Sequence, residues 1–324
     1  MTVQQLPTKK AELPRVGTLC LSLLLFFTFA MLLRRADVAT ACMREGLSLC
    51  ARAVVPSLFP FLVFSELLVV SGAGELLAKP LERVLGRVLG LSRAGCCALV
   101  LGLFCGFPTG ARCAILSYER GSMGRCECER VIACSSIPSS AFLISTVGGS
   151  LWKNTRFGVR LYLSTLIAAL FCGILLHVLQ KRKEEEHKEK LLLTPVKPHF
   201  EASMLSSAIK SATVSTLLIC AYVIFFATLA GALELVLGRF AASGELHAIL
   251  AAFLELSGGV DAAAGLQPQW LSVLLTGVTV GWSGISVHCQ MLSICEGHKL
   301  SLRPYFAAKL MQAILCPILL FILT

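Results

Sequence analysis

The stretch Ser211–Leu233, SATVSTLLICAYVIFFATLAGAL, decides the class of the fold because it contains no charged side chain. A helix needs about 20 mainly apolar residues to cross the roughly 30 Å of hydrocarbon in a bilayer. Val16–Leu33 is equally uncharged, and three further stretches carry one ionisable residue each: Ala53–Ser71, Leu161–Leu179 and Tyr305–Leu323. These stretches predict an all-α, polytopic membrane protein.

The overall composition agrees with a membrane protein. Of the 324 residues, 56% are hydrophobic and 15% are charged, whereas soluble domains carry about 25% charged residues. The net charge of +10 would suggest nucleic-acid binding in a soluble protein. Here the basic residues stand between apolar stretches, as at Arg34, Arg35 and Lys181–Lys183, which favours contact with lipid headgroups. The expected partner is the lipid bilayer, with no nucleic acid.

The 15 cysteines lie mostly inside apolar stretches, for example Cys96, Cys97 and Cys172. They are interpreted as small apolar residues that let helices pack closely, since disulfide frameworks belong to small secreted chains. The spacing Cys126-Glu-Cys128 lacks a second pair of ligands nearby, so no metal site is predicted. No phosphate-binding loop or nucleophile–base motif is present. We therefore expect neither an enzyme nor a bound cofactor.

The charged stretch Gln180–Lys197 separates two hydrophobic halves that resemble each other. In the first half, Gly102-Leu-Phe-Cys-Gly106-Phe-Pro108 precedes Cys113-Ala-Ile-Leu-Ser117. In the second half, Gly277-Val-Thr-Val-Gly281-Trp-Ser283 precedes Cys289-Gln-Met-Leu-Ser293. The match predicts an internal duplication, which is the architecture expected of a secondary transporter. The sequence leaves open whether the repeats are parallel or inverted.

Two uncharged stretches are interrupted by residues that disfavour a continuous helix, and a third is rich in hydroxyl residues. Glycine and proline interrupt Ala94–Ala111 and Ala262–Val287, and hydroxyl residues crowd Val131–Leu151. The glycine and proline interruptions predict discontinuous or re-entrant helices that line a cavity, because non-helical backbone at membrane depth needs protein or water to satisfy it, and the hydroxyl residues are candidates for lining the substrate site. The alternative is close helix packing through small and hydroxyl residues. The candidate substrate-binding residues are Gly106, Pro108, Thr109, Gly110, Arg112, Ser136, Ser139, Gly281, Ser283, Gly284 and His288.

Five ionisable residues in or beside apolar stretches have competing interpretations. Arg112 can bind a substrate carboxylate bidentately or extend to the headgroups. Glu66 and Glu255 are candidates for a coupling or a structural charge, because a carboxylate in an apolar helix is costly. Lys309 is expected to extend toward the membrane interface. His288 is a proton shuttle or, more commonly for a lone histidine, a packed and hydrogen-bonded residue.

Several motifs together resemble the YlbJ-type sporulation integral membrane proteins, within the wider nucleoside-recognition Gate superfamily. The specific ones are Val55-Pro-Ser-Leu-Phe-Pro60-Phe61 and Gly106-Phe-Pro-Thr-Gly110-Ala111. Glu127–Arg130, Phe142–Gly148 and Leu254–Leu256 complete the resemblance. The chain departs from the family pattern at residues 136 and 137, where a serine and an isoleucine replace a pair of asparagines.

The resemblance implies a bacterial transporter that moves dipicolinic acid across the mother-cell-derived membrane around the forespore. The alternatives are a carrier of nucleosides or other neutral solutes, and a spore-envelope scaffold without transport activity. A homo-oligomer is compatible with all three of these functions. The expected organisation is a tail with a first transmembrane helix (1–40), a first Gate-like repeat with a connecting helix (41–179), a charged linker (180–200) and a second Gate-like repeat (201–324).

Overall fold

The computed structural model describes residues 32–186, 199–237 and 244–324, together with residues 22, 26, 29 and 30. It is 86% helical, and the described residues contain no strand. The first half consists of α1 (Ala36–Leu49), α2 (Val55–Val70), α3 (Ala73–Leu81), α4 (Arg93–Cys105), α5 (Thr109–Glu119), α6 (Arg125–Ser135), the π-helix α7 (Phe142–Leu151) and α8 (Thr155–Glu186). The second half consists of α9 (Ala202–Leu237), α10 (Gly244–Leu254), α11 (Leu256–Ala264), α12 (Gln269–Trp282), α13 (Gly284–Cys295) and α14 (Arg303–Leu323).

Four segments are long and apolar enough to cross a membrane: Thr155–Gln180, Ala202–Leu233, Gln269–Cys295 and Arg303–Leu323. A fifth candidate is a pair of helices, Ala78–Leu89 and Arg93–Cys105, bent by 93°. The predicted all-α, multi-pass membrane fold is therefore confirmed. The predicted first span at 16–33 lies largely outside the described residues, as does the linker beyond Glu186.

Two long helices form one body of the fold, which we call the helix pair. α1 continues through the π-helical turn Cys50–Val54 into α2, and this helix packs antiparallel to α9. The Cys50 thiol contacts the Cys220 carbonyl oxygen at 3.7 Å. Between the two helices lies a small core of aliphatic and small side chains: Cys50, Leu62, Val63, Ala208, Ala212, Ile219 and Val223.

The remaining helices form a second body, which we call the main bundle. Its core runs through α4–α8 and α11–α14. α8 and α14 pack antiparallel, with the Cys172 thiol 3.8 Å from the Ala308 carbonyl oxygen. Of the cysteines in the described residues, none forms a disulfide, and ten of the fourteen are buried. Their predicted role as small packing residues agrees with these positions.

Two pairs of short helices fold back on themselves as hairpins. α4 and α5 have 13 and 11 residues, so they measure about 20 and 16 Å and are too short to cross the hydrocarbon. Their helices approach so closely that a Cβ on Gly102 would lie 2.8 Å from the Cα of Gly110. α10 and α11 form a second hairpin, where a Cβ on Gly259 would lie 2.8 Å from the backbone nitrogen of Ala252.

Each hairpin is followed by two helices that a short break separates. Residues 136–139 separate α6 from α7. Ser283 and Gly284, with φ angles of 74° and 80°, separate α12 from α13, although these two helices together form the span Gln269–Cys295. The predicted interruptions within 94–111 and 262–287 are therefore confirmed, whereas the break at 136–139 in the hydroxyl-rich stretch was not predicted.

Apart from α3 and the short turns that follow it, which have no counterpart among the described elements of the second half, both halves have a long helix, a hairpin, two helices separated by a break and a final long helix. The paired long helices run antiparallel, which favours an inverted arrangement. This order differs from the predicted alignment, which matched Gly106 with Gly281. Gly106 lies at the turn of a hairpin and Gly281 inside an interrupted span, because the same residue types permit either a reversal or a local break. The internal duplication itself stays a prediction.

Candidate solute pathway

Four neighbouring cavities follow one face of α9. The first has a volume of about 320 Å³ and the fourth about 290 Å³, while the two between them measure about 30 and 80 Å³. Leu218 lines the first and Gly231 the fourth, positions about 20 Å apart along a helix. Neighbouring cavities share lining residues, so they form one discontinuous route with a narrow centre. We call the first the arginine cavity, the fourth the acidic cavity, and the two small ones the constriction.

The route lies between the helix pair and the main bundle. In the arginine cavity, the helix pair contributes Leu62, Glu66 and Leu218, and the main bundle contributes Arg112 and Ser293. In the acidic cavity, the helix pair contributes residues from Cys42 to Leu49 and from Val223 to Gly231. The opposite wall there belongs to the second hairpin, α10–α11. A movement of one body against the other would therefore change both ends of the route.

Arg112 stands where the arginine cavity meets the constriction, and it lines both. Its Nη2 donates a hydrogen bond to the Ser211 hydroxyl at 2.5 Å and lies 3.6 Å from Glu66 Oε2. Arg112 belongs to α5 of the main bundle, whereas Glu66 and Ser211 belong to the helix pair. The structure thus joins two residues that the sequence suggested separately, and it directs the guanidinium across the route.

The constriction is lined by side chains from both interrupted regions of the first half. Pro108 stands at the start of α5 and Ser139 at the break before α7, and both line it. Tyr222 and Ile219 approach from α9. Gln290 of α13 lines both small cavities. Sequence reasoning missed Gln290, although it lies inside the Cys289–Ser293 motif as its only amide.

Glu255 combines a structural position with a place on the route. Its Oε2 accepts a hydrogen bond from the Gly258 backbone nitrogen at 2.7 Å and so caps the N-terminus of α11. The same residue lines the larger constriction cavity and the acidic cavity. A Cβ on Gly284 would lie 2.9 Å from the Glu255 Cα. The turn of the second hairpin therefore rests directly on the break between α12 and α13.

The first half has the matching contact between its own turn and its own break. A Cβ on Gly106 would lie 2.5 Å from the Ser139 backbone nitrogen. Next to this contact, the Phe107 backbone nitrogen donates to the Ile137 carbonyl oxygen at 2.8 Å. Gly106 has a φ angle of 81°, which favours glycine, and the approach leaves no room for a side chain. Non-helical backbone of two segments is thus brought together beside the constriction.

Several predicted site residues lie next to the route but outside the lining of the four cavities. Thr109 is fully buried at the start of α5. Gly110 contacts Ser135, because a Cβ on Gly110 would lie 2.5 Å from the Ser135 hydroxyl oxygen. The Ser136 hydroxyl donates to the Ile132 carbonyl oxygen at 2.5 Å. These contacts hold the first hairpin against α6.

The predicted residues of the second break are also engaged in packing. Gly281 abuts the backbone of α14, where a Cβ would lie 2.6 Å from the Gln312 carbonyl carbon. The Ser283 hydroxyl donates to the Val280 carbonyl oxygen at 3.1 Å. His288 Nδ1 is 2.7 Å from the Tyr305 hydroxyl oxygen, among aromatic rings. The arrangement of His288 matches a packed, hydrogen-bonded histidine more closely than an exposed proton shuttle.

The prediction that Lys309 extends to the membrane interface is wrong. Lys309 is fully buried in the main bundle. Its Nζ donates to the Ser283 hydroxyl at 2.9 Å and to the Gly281 carbonyl oxygen at 3.4 Å. A cation beside the last carbonyls of α12 complements the partial negative charge of that helix end. Lys309 of α14 therefore stabilises the break between α12 and α13.

The acidic and basic residues of the 127–130 motif bind loop backbone at helix ends. Glu127 accepts a hydrogen bond from the Ser92 backbone nitrogen at 2.6 Å. Glu129 accepts one from the Ser301 backbone nitrogen at 2.7 Å. These residues fix the starts of α4 and α14 and do not line the cavities described above.

Comparison with known proteins adds one clear relative. No protein family model matches the chain, and no solved structure matches it. The sporulation integral membrane protein YlbJ of Bacillus subtilis (strain 168) is 22% identical over an alignment 343 positions long, which covers 96% of this chain and 84% of the relative. Membership of the wider Gate superfamily stays a prediction. The similarity over most of both chains, together with the membrane-spanning helices, supports the assignment of this chain as a YlbJ-type integral membrane protein.

Proposed function

We propose that this protein is a secondary transporter of a small organic anion, and that its substrate during spore formation is dipicolinic acid. The observation that carries the proposal is the route between the helix pair and the main bundle, wide at both ends and narrow in the middle. A protein that served only as an anchor would have no need of such a route. The choice of dipicolinic acid rests on the family resemblance.

The dimensions of the route support a carrier. The arginine cavity, at about 320 Å³, falls at the lower end of the range for small-molecule sites, about 300–1,000 Å³. The constriction cavities, at about 30 and 80 Å³, are too small for such a molecule, so the centre is closed in this conformation. Many carriers open alternately to the two sides when one bundle rocks against the other around a central site. In the proposed mechanism, the helix pair rocks against the main bundle and opens the two ends of the route in turn.

The charge at the entrance to the constriction supports an anion. Among the described residues that line the four cavities, Arg112 is the only lysine or arginine. Its planar guanidinium matches a carboxylate bidentately. A carboxylate arriving from the arginine cavity would replace Glu66 as the partner of Arg112, so substrate binding would loosen a contact between the two bodies.

A carrier of neutral solutes is the second candidate, and one observation favours it. Glu255 lines the larger constriction cavity together with the uncharged polar residues Ser139, Ser257 and Gln290. An ionised carboxylate at this position repels a dianion but tolerates a neutral solute. The two candidates therefore differ in whether Arg112 or the uncharged groups dominate recognition.

The decisive experiment is uptake into proteoliposomes that contain the purified full-length protein. Radiolabelled dipicolinate and uridine are compared for the wild type, for Arg112→Gln, and for Arg156→Gln as a control at an exposed arginine away from the cavities. We expect dipicolinate uptake that Arg112→Gln abolishes and Arg156→Gln preserves. Uptake of uridine alone would favour the neutral-solute carrier. Absence of uptake of both solutes by folded protein would favour the scaffold.

A further inference from the structure

We propose that Gln290 contacts the solute at the constriction and makes the site selective for planar, ring-containing solutes. This inference rests on the proposed carrier function and adds the residue and the solute class. Three observations support it: the position of Gln290, the absence of a hydrogen-bond partner for its Oε1 atom, and the rigid ring side chains around it.

Gln290 lies at the centre of the route. It lines both constriction cavities, and Ile219 on the opposite helix is the other residue that does so. A solute that passes between the arginine cavity and the acidic cavity must therefore pass the Gln290 amide. Ile219 contributes an apolar surface, so Gln290 is the polar group common to both parts of the constriction.

The Gln290 amide is buried but incompletely hydrogen-bonded. The residue is 3% exposed. Its Nε2 lies 3.3 Å from the Ser286 hydroxyl, whereas its Oε1 has no hydrogen-bond partner. Buried polar atoms in proteins are nearly always paired, so an unpaired one beside a cavity indicates a partner that arrives from the cavity.

The neighbouring hydroxyl lets the amide serve two kinds of solute atom. Ser286 can either accept or donate a hydrogen bond. Rotation of the Gln290 amide by half a turn therefore keeps the contact with Ser286 and exposes the NH₂ group in place of the oxygen. The amide can then donate to a carboxylate or ring nitrogen, or accept from a protonated group.

The surrounding side chains favour a flat solute. Phe107, Pro138 and Phe142 line the larger constriction cavity, and Pro108 and Tyr222 line the smaller one. Aromatic and proline rings present rigid apolar faces against which a ring can stack, whereas a flexible aliphatic chain gains less from them. A single polar group among such faces sets the orientation of the ring.

The test uses dipicolinate uptake in proteoliposomes, with competition by pyridine-2-carboxylate and by the aliphatic dicarboxylate glutarate. Gln290→Leu removes the amide, and Gln290→Asn retains it on a shorter side chain. Gln312→Leu is the matched control, because Gln312 is a fully buried amide whose polar atoms also lack partners but which lies outside the four cavities. Thermal unfolding of each purified variant in detergent shows whether it folds.

We expect Gln290→Leu to raise the KM for dipicolinate about tenfold, as the loss of one hydrogen bond would, and to reduce the preference for pyridine-2-carboxylate over glutarate. Gln290→Asn should give a smaller increase, and Gln312→Leu should leave the KM unchanged. If the wild type transports dipicolinate and both Gln290 variants keep its KM and competitor preference, the inference is overturned while the carrier function stands. Should Gln290→Leu fail to fold, Gln290→Asn decides by the same readouts. Absence of dipicolinate and uridine uptake by the wild type would overturn the proposed function itself.

Discussion

Substitution of Glu66 by glutamine is the sharpest test of how Arg112 would bind an anion. The two side chains face each other at 3.6 Å across the boundary between the helix pair and the main bundle. If a substrate carboxylate binds Arg112, it must compete with Glu66 for the guanidinium. Glu66→Gln removes the competing charge and keeps the shape, so we expect it to lower the KM for an anionic substrate.

The size of the effect follows from the geometry of the pair. Two unit charges 3.6 Å apart attract by about 5 kcal/mol at an effective dielectric constant of 20. Arg112 is 31% exposed and Glu66 is 17% exposed, so solvent screening and side-chain entropy reduce the net strength to about 1 kcal/mol. That value corresponds to a decrease in KM of about fivefold.

The assay is the concentration dependence of dipicolinate uptake into proteoliposomes. Glu82→Gln serves as the matched control, because Glu82 pairs with Arg93 at 2.6 Å at an exposed position outside the four cavities. The control should leave the KM unchanged. A KM that stays constant or rises in Glu66→Gln would refute competition for Arg112 and would assign Glu66 a different role, such as proton coupling.

The other two predictions concern the stability of the first hairpin, α4–α5, and of the break between α12 and α13. Gly110→Ala should destabilise the protein by about 1–3 kcal/mol, because a Cβ on Gly110 would lie 2.7 Å from the Gly102 Cα. Gly149→Ala should be nearly neutral, since the atom nearest to a Cβ on Gly149 would be 3.7 Å away. Equal thermal unfolding temperatures of the two variants in detergent would contradict this packing. Lys309→Met should lower the unfolding temperature, because the Gly281 carbonyl oxygen loses a hydrogen-bond donor at a cost of about 1–3 kcal/mol. An unchanged unfolding temperature would argue that this carbonyl oxygen has another hydrogen-bond donor.

The membrane class and the positions of the breaks could be predicted from sequence because both depend on local composition. An uncharged stretch such as Ser211–Leu233 has one favourable environment, the bilayer. Gly106 and Pro108 disfavour a continuous helix wherever they stand. Composition does not say whether the chain reverses or continues after the break, so the hairpin α4–α5 and the interrupted span Gln269–Cys295 looked alike.

The pairing of side chains could not be predicted, because it depends on which helices become neighbours. Glu66 and Arg112 meet only because α2 and α5 face each other across the route. Lys309 stands near the start of an apolar helix, where extension to the interface is the usual expectation, and its real partner Ser283 lies on another helix. Gln290 is the only amide of the Cys289–Ser293 motif, but its burial beside a cavity is what makes it notable.

The two hairpins give the route a difference in charge between its ends. Gly110 and Gly259 are the positions at which each hairpin comes closest to its own first helix. Two residues after each glycine stands an ionisable residue, Arg112 in the arginine cavity and Asp261 in the acidic cavity. Glu45 and Glu255 add two further carboxylates to the acidic cavity. The positions of Arg112 and Asp261 thus carry opposite charges. In the proposed anion carrier, Arg112 would attract the substrate at one end, where Glu66 and Glu119 also line the cavity, whereas the described lining of the other end offers carboxylates and no lysine or arginine, so the two directions of transport would not be equivalent.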